Sequence, residues 1–391
     1  MPVSADLIVI GGGAVGLASA LAAAGRGLLV HLITAHRPGE ASPAAAGMLA
    51  PTVELADLVT AAHAFALASR DRYPSYLESL RDLSGIAVPL NRLGILELAD
   101  DPAGTVGSPT RTVGAPARTV GAPTHSADAS ARSADASPPT HAGEWLDRAA
   151  LAALEPALSH APGARYYPED GAVDNVLLLA ALEAALSHST HLHRSTGGPA
   201  RSLEFRAHDV VVHLDTGSLA AKQVVLAAGA WAPLIAGLPR PLPVEPVRGQ
   251  MLSLQASPLR HVVYGPNGYL VPRAGTHTLV GSTTEHVAFD ASTTDIALQT
   301  LRATADTICP ALTSAPTDRS WAGLRPMTPD LLPIIGRDPD HPSLIYACGH
   351  SRNGVLMAPL TADCVAALAL NEAPPAELRP FAIERFANFH K

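Results

Sequence analysis

The chain has 391 residues, of which 47% are hydrophobic and 16% charged, enough apolar material for two domains and a composition that excludes general disorder. Its net charge of -8 and pI near 6.1, with Lys and Arg scattered and no basic run interleaved with aromatics, argue against a nucleic-acid partner. Cys309, Cys348 and Cys364 form no CxxC pair and read as buried reduced thiols, and the histidines include no HExxH-type pattern, so no metal site is expected. The cluster His188, His191 and His193 reads as a solvated turn between a helix and a strand.

Met1-Pro2-Val3-Ser4-Ala5-Asp6 runs directly into an apolar strand with no cationic region and no cleavage site. Gly11, Gly12 and Gly13 interrupt that apolar run well before membrane-spanning length. A cytoplasmic location with no membrane association is therefore expected.

Leu7-Ile8-Val9-Ile10 has the pattern of a strand buried on both faces of a parallel sheet. Small and apolar residues from Ala14 to Ala24 predict a closely packed helix, closed by Gly25 and Gly27, and Leu28 to Ile33 predicts the second strand. Together they form a βαβ unit. A second helical pattern covers roughly Leu55 to Ser84.

Residues 101–143 differ in kind, being rich in Ala, Ser, Thr, Pro and Gly. Arg111–Pro116 recurs at Arg118–Pro123, and Ser126–Ser130 recurs at Ser133–Ser137, without any repeated core position. Such a stretch buries too little apolar surface to offset chain ordering and reads as a disordered surface insertion.

Beyond it, a helix is expected from about Asn175 to Ser187 and a buried strand at Val224-Val225-Leu226. From Val244 to Thr284 short strands alternate with turns, the pattern of an antiparallel sheet. A helix follows from Asp295 to Cys309, then a strand at Leu344–Ala347 and a last helix from about Ala358 to Leu370. The predicted fold class is α/β: a discontinuous Rossmann-like dinucleotide-binding domain with an inserted antiparallel-sheet domain. The expected boundaries are 1–86, 167–243 and 322–391 for the first domain, and 87–166 and 244–321 for the second.

Gly11-Gly12-Gly13-Ala14-Val15-Gly16 fits GxGxxG with glycines at 11, 13 and 16. Between a strand and a helix, such glycines permit a tight turn and close approach of a pyrophosphate to the helix N-terminus. The acidic residue usual at the end of the second strand is absent; Thr34 stands there, followed by Ala35, and nearby Arg37 keeps NADP as an alternative to FAD.

Three strings, in order, complete the picture: Ala44–Leu49 (AAAGML), Trp321–Pro326 (WAGLRP) and Gly349–Gly354 (GHSRNG). With them the chain resembles the D-amino-acid oxidase-like flavoproteins with a GR2-type FAD-binding domain, above all the thiamine-biosynthesis type of glycine oxidase. Everything except the 101–143 insertion takes part in the match.

The resemblance implies non-covalent FAD. Ala14 and Val15 would line the pyrophosphate, Thr34 and Ala35 would meet the ribose, and Ala41, Ser42, Ala46, Gly47 and Met48 would run along the cofactor. His350, Ser351, Arg352, Asn353, Gly354, Val355 and Leu356 would meet the isoalloxazine. Arg325 matches the residue that holds the substrate carboxylate, Tyr269 the tyrosine assisting there, and Arg352 a second arginine beside the flavin. Asn267 stands where similar enzymes carry a histidine, and Thr283-Thr284 where a methionine is expected, which puts pocket shape and substrate choice in question.

The implied activity is oxidative deamination of a small amino acid, glycine above all, to the imine and oxo acid, with ammonia and hydrogen peroxide formed from oxygen. A thiazole-synthesis partner and a homo-oligomer are further implications. The alternatives are a sarcosine or D-amino-acid oxidase or dehydrogenase on the same fold, and a flavin-binding protein without turnover.

Overall fold

A computed structural model of the chain describes residues 5–55, 60–100, 143–195, 197–273 and 275–387. The insertion read at 101–143 lies outside the described residues apart from Gly143.

The apolar run at the start forms β1 (Ala5–Ile10), followed by α1 (Ala14–Gly25) and β2 (Val30–Ile33). β1 lies parallel to β2, with Leu7 opposite Val30, and parallel to the strand Ser218–Leu226, with Leu7 opposite Gln223. Leu344–Cys348 joins the far side of Ser218–Leu226 in parallel, pairing Ile345 with Val225. Both faces of this sheet are covered by apolar side chains, so its central strands are uninterrupted hydrophobic runs. On α1 the buried positions are mostly Ala and Gly, and these small side chains let it pack closely beneath the first sheet, beside the last helix.

The last helix spans Gly354–Ala369 and begins a turn earlier than expected, with Pro359 inside it. Proline supplies no N–H to the carbonyl four residues back. That carbonyl, on Val355, instead accepts from Tyr73 Oη at 2.5 Å. Ser69 Oγ then donates to the Leu356 carbonyl at 2.8 Å and accepts from the Leu360 N–H at 3.3 Å. Tyr73 and Ser69 belong to the helix Thr60–Ser84, which thereby repairs the interruption.

The second sheet runs in the order Thr317–Met327, Glu245–Leu254, His277–Gly281, Gly268–Arg273, Val262–Gly265, Ile95–Leu98, Gly163–Tyr167, Glu144–Asp147. It is antiparallel except at one junction, where Val262–Gly265 and Ile95–Leu98 pair in parallel with Val263 opposite Leu96. That junction joins two separate chain segments. The helix Asp295–Ile308 covers one face, packing Leu301, Ala305 and Ile308 on Leu252, Leu270 and Val280. A small third sheet ties Met48–Leu49 to Gly171–Val173, and the latter to Leu90–Asn91. None of the described helices is long and apolar enough to cross a membrane.

Candidate active site

A long cleft runs from the end of β2 to the second sheet. At its first end the chain turns at Gly11, whose φ of +134° and close approach to the Ala227 carbonyl admit no side chain; a Cβ there would lie 2.1 Å from that oxygen. The turn aims the first amides of α1 into the cleft, and the Ala14 N–H donates to Ser42 Oγ at 2.9 Å. Thr34, Ala35, Arg37 and Glu40 line the same end. Glu40 accepts from the Arg37 N–H at 3.0 Å, and the Arg37 guanidinium lies 5.7 Å from the Trp231 ring centre.

The small-residue stretch after β2 is held from behind. Half-buried Arg273 donates to the Ala46 carbonyl at 2.8 Å and to Asn175 Oδ1 at 2.9 Å, while Asn175 Nδ2 donates to the Ser42 carbonyl at 2.9 Å. Trp321 Nε1 donates to the Ala44 carbonyl at 3.0 Å. Ala41, Ser42, Ala46, Gly47 and Met48 consequently form one wall of the cleft.

The opposite wall comes from the turn before the last helix. His350, Ser351, Arg352, Asn353, Gly354 and Val355 all line it, with Ser351 held at φ +50°. Burial lowers the His350 imidazole to about 3, so the ring is neutral; its Nε2 lies 3.1 Å from Thr361 Oγ1. Burial also pushes the Cys348 thiol up to about 12, which withholds the thiolate that a covalent flavin link would need. Two residues expected along the cofactor stand behind the wall: Gly16 packs under the Gly11 carbonyl, and Leu356 is in the core.

At the far end, Arg325 projects from the strand Thr317–Met327 and lies flat on Gly249 of the neighbouring strand. Its Nη1 donates to the Thr283 carbonyl at 3.1 Å and its Nη2 to Ser282 Oγ at 2.6 Å. Both acceptors are uncharged. Asp330 pairs with Arg385 and Asp338 with Arg240, so neither neutralises Arg325, which forms no salt bridge among the described residues. Burial, reinforced by the charge on Arg352, lowers the Arg325 guanidinium to about 10, still cationic at neutral pH. A half-buried cation held by neutral acceptors at the end of a cleft is suited to a carboxylate.

Tyr269 lines the cleft beside it and stacks obliquely on Tyr264, with ring centres 5.6 Å apart. Sequence reasoning did not single out Tyr264 or Glu54. Glu54 lines the cleft, accepts from Tyr264 Oη at 2.5 Å, and faces Arg352 with its Oε1 3.6 Å from Nη2. Burial works against the Arg352 charge, but Glu54, with Tyr269 and Tyr264, outweighs it and holds the guanidinium above its ordinary value. Tyr264 Oη also lies 3.1 Å from Met48 Sδ. The short helix Pro51–Leu55 that carries Glu54 is tethered by fully buried Asp170, which accepts from the Thr52 and Val53 N–H groups at 3.0 Å and from Arg70 Nη1 at 3.0 Å.

Of the two departures noted in the sequence, one lies away from the site. Asn267 is exposed at φ +64° in the two-residue turn Pro266-Asn267 between paired Gly265 and Gly268, where proline followed by a positive-φ residue fits a type II turn. Thr283 does reach the site, through the carbonyl that receives Arg325. Thr284 is exposed. Among the described residues, no group of three or more His, Cys, Asp or Glu is placed to hold a metal ion.

The glycine turn, the N-terminus of α1, the wall of small side chains and the 16-residue helix beginning at Gly354 fit an extended dinucleotide in the cleft that also holds Arg325 and Tyr269. Fold and cleft together define a dinucleotide-binding protein with two large sheets. A family model described as "FAD dependent oxidoreductase" matches residues 6–368, and the chain belongs to that family.

The chain is 32% identical to the glycine oxidase of Geobacillus kaustophilus over 97% of both chains. It is 34% identical to the bifunctional protein ThiO/ThiG of Synechocystis sp. over 99% of this chain, and spans 55% of that protein's length. The crystal structure of glycine oxidase from Geobacillus kaustophilus superposes with a TM-score of 0.81 at 29% identity, covering 97% of this chain and 98% of that one.

Proposed function

We propose that this protein oxidises the α-carbon of a small amino acid, with glycine the favoured substrate, to an imine that hydrolyses to glyoxylate and ammonia, with oxygen reduced to hydrogen peroxide. The observation that carries the reading is Arg325: a half-buried guanidinium at the end of the cleft that forms no salt bridge among the described residues. The likeness to glycine oxidase over nearly the whole chain supports glycine as the substrate.

When bound, FAD would accept the hydride, with its two electrons, that leaves the substrate carbon. Gly11, Gly13, Ala14 and Val15 would take its pyrophosphate, Thr34 and Ala35 its ribose, and Ala41 to Met48 and His350 to Val355 its length and ring. Arg325 clamps the carboxylate in two-pronged fashion, which fixes where the α-carbon sits and supplies proximity and orientation. Tyr269 assists at the carboxylate, and Arg352 stands beside the ring. Neutral His350 presents no acid near that ring at physiological pH. The substrate amine must be unprotonated for its lone pair to drive the hydride out, and no side chain is needed as a strong base.

The domain division at 1–86, 167–243 and 322–391 against 87–166 and 244–321 belongs to the same reading, with the first part holding the cofactor and the second closing over the substrate. The likeness to a bifunctional ThiO/ThiG protein supports a place in thiamine (thiazole) biosynthesis, with a partner that consumes the imine. The test is stoichiometry: with glycine, purified holoprotein should form one glyoxylate, one ammonia and one peroxide per oxygen consumed. Glyoxylate without peroxide would turn the protein into a dehydrogenase; no product from any small amine would end the proposal.

A further inference from the structure

We propose that Glu54 restricts this site to amino acids with a single carboxylate, by neutralising Arg352 and leaving Arg325 as the one cation offered to a ligand. The inference rests on the reading of the cleft as a substrate site for amino acids.

Charge at the inner end of the cleft is carried by Arg325, Arg352 and Glu54. Arg325 is held by a carbonyl and a hydroxyl and forms no salt bridge among the described residues, although the Glu54 charge also acts on it from a distance. Arg352 faces Glu54 at 3.6 Å. Tyr264 and Tyr269 are phenols, and burial together with Glu54 drives the Tyr264 hydroxyl well above its ordinary value, so it stays neutral. Met48 and Met251 add no charge. One positive charge remains. It matches a substrate with one carboxylate and a neutral amine, whereas a second carboxylate would enter a low-dielectric pocket with no cation left to meet it.

Glu54 cannot readily swing away to free Arg352. Its side chain is only 5% exposed, Tyr264 Oη holds it at 2.5 Å, and Asp170 ties down the first amides of its short helix. Arg352, in contrast, lines the cleft with a partly exposed side chain, and Glu54 is its one salt-bridge partner among the described residues. With Glu54 uncharged, that guanidinium would be a second carboxylate clamp. A glycine whose nitrogen carries a carboxymethyl group, iminodiacetate, is the class of substrate that wild-type Glu54 refuses and a neutral residue 54 admits.

The test compares acetate with malonate, which differs by one carboxylate, as ligands of the oxidised holoprotein, read from the perturbation of flavin absorbance. In the wild type malonate should bind no more tightly than acetate. In Glu54→Gln, where the amide oxygen can still accept from Tyr264, malonate should tighten relative to acetate at least about tenfold, as gaining a charge-assisted contact requires. Glu54→Asp should keep the wild-type ratio. An unchanged ratio in Glu54→Gln overturns the proposal, and so does a wild-type protein that already binds malonate more than about tenfold tighter than acetate. Because neither ligand is oxidised, these outcomes are independent of turnover; failure of glycine and sarcosine to bleach the flavin would instead count against the proposed reaction.

Discussion

The guanidinium of Arg325 lies flat against Gly249, so close that a Cβ on residue 249 would stand 2.3 Å from both terminal nitrogens. The two residues sit on paired strands, Glu245–Leu254 and Thr317–Met327, and the absent side chain is what lets the arginine reach Ser282 and the Thr283 carbonyl.

Gly249→Ala should therefore displace Arg325 while leaving the far end of the cleft intact. The expected outcome is full FAD content with KM for glycine raised roughly 10- to 100-fold, the cost of one misaligned charge-assisted hydrogen-bond pair. Absorbance at the flavin bands and steady-state kinetics check it. Loss of FAD together with the KM effect would mean that the strand pair itself had been disrupted.

Asp170→Asn should loosen the helix Pro51–Leu55, because an amide can satisfy only part of what the carboxylate receives from Thr52, Val53 and Arg70. Arg70 keeps its pair with Asp71 but loses a charged acceptor on Nη1, and the destabilisation should reach about 1–3 kcal/mol. Urea denaturation of holoprotein measures it. A change below about 0.5 kcal/mol would show that Asp170 does not tether this helix.

Tyr73→Phe removes the donor to the Val355 carbonyl that Pro359 leaves unsatisfied. A buried acceptor without a partner costs about 1–3 kcal/mol, and thermal melting should show it. Combined with Pro359→Ala, which restores a helical N–H, the cost should shrink. If the two substitutions simply add, the repair described above is wrong.

His350 gives a pH dependence whose sign is fixed by burial. Its imidazole is lowered to about 3 in the folded protein, against about 6.5 when unfolded. Below about pH 6.5 the unfolded chain takes up a proton that the folded one refuses, so stability falls as pH drops from there toward 3. Comparison of wild type with His350→Asn should show a smaller loss of melting temperature between pH 7 and pH 5 in the variant. Equal losses would place the responsible group elsewhere.

Much of this fold was legible because its signals are local. The βαβ unit at β1, α1 and β2 follows from an apolar run, a glycine turn and small helical residues, and Asn175–Ser187 is helical as its pattern predicts. The last helix was expected to start near Ala358 and begins instead at Gly354, running through Pro359. The residues that repair it, Tyr73 and Ser69, lie more than 280 positions away in the chain. The parallel junction between Ile95–Leu98 and Val262–Gly265 escaped for the same reason, since neither strand carries a mark of its partner.

In the site, Arg325, Tyr269 and Arg352 were singled out through their motifs, and the fold brings all three to the cleft wall. Glu54 was not, because a carboxylate on a short helical stretch looks solvated until Tyr264 and Arg352 are brought against it. Asn267 shows the converse. It departs from the family pattern, yet its exposed turn position removes it from the pocket.

The most direct test of the central claim is anaerobic titration of the purified yellow holoprotein with glycine, sarcosine, D-alanine and D-proline, following bleaching of the flavin. The account predicts that glycine bleaches it fastest, that peroxide appears when air is admitted, and that Arg325→Ala abolishes bleaching at glycine concentrations that saturate the wild type. If none of the four amines bleaches the wild-type flavin, the cleft holds its cofactor for some other purpose and the proposed reaction is wrong.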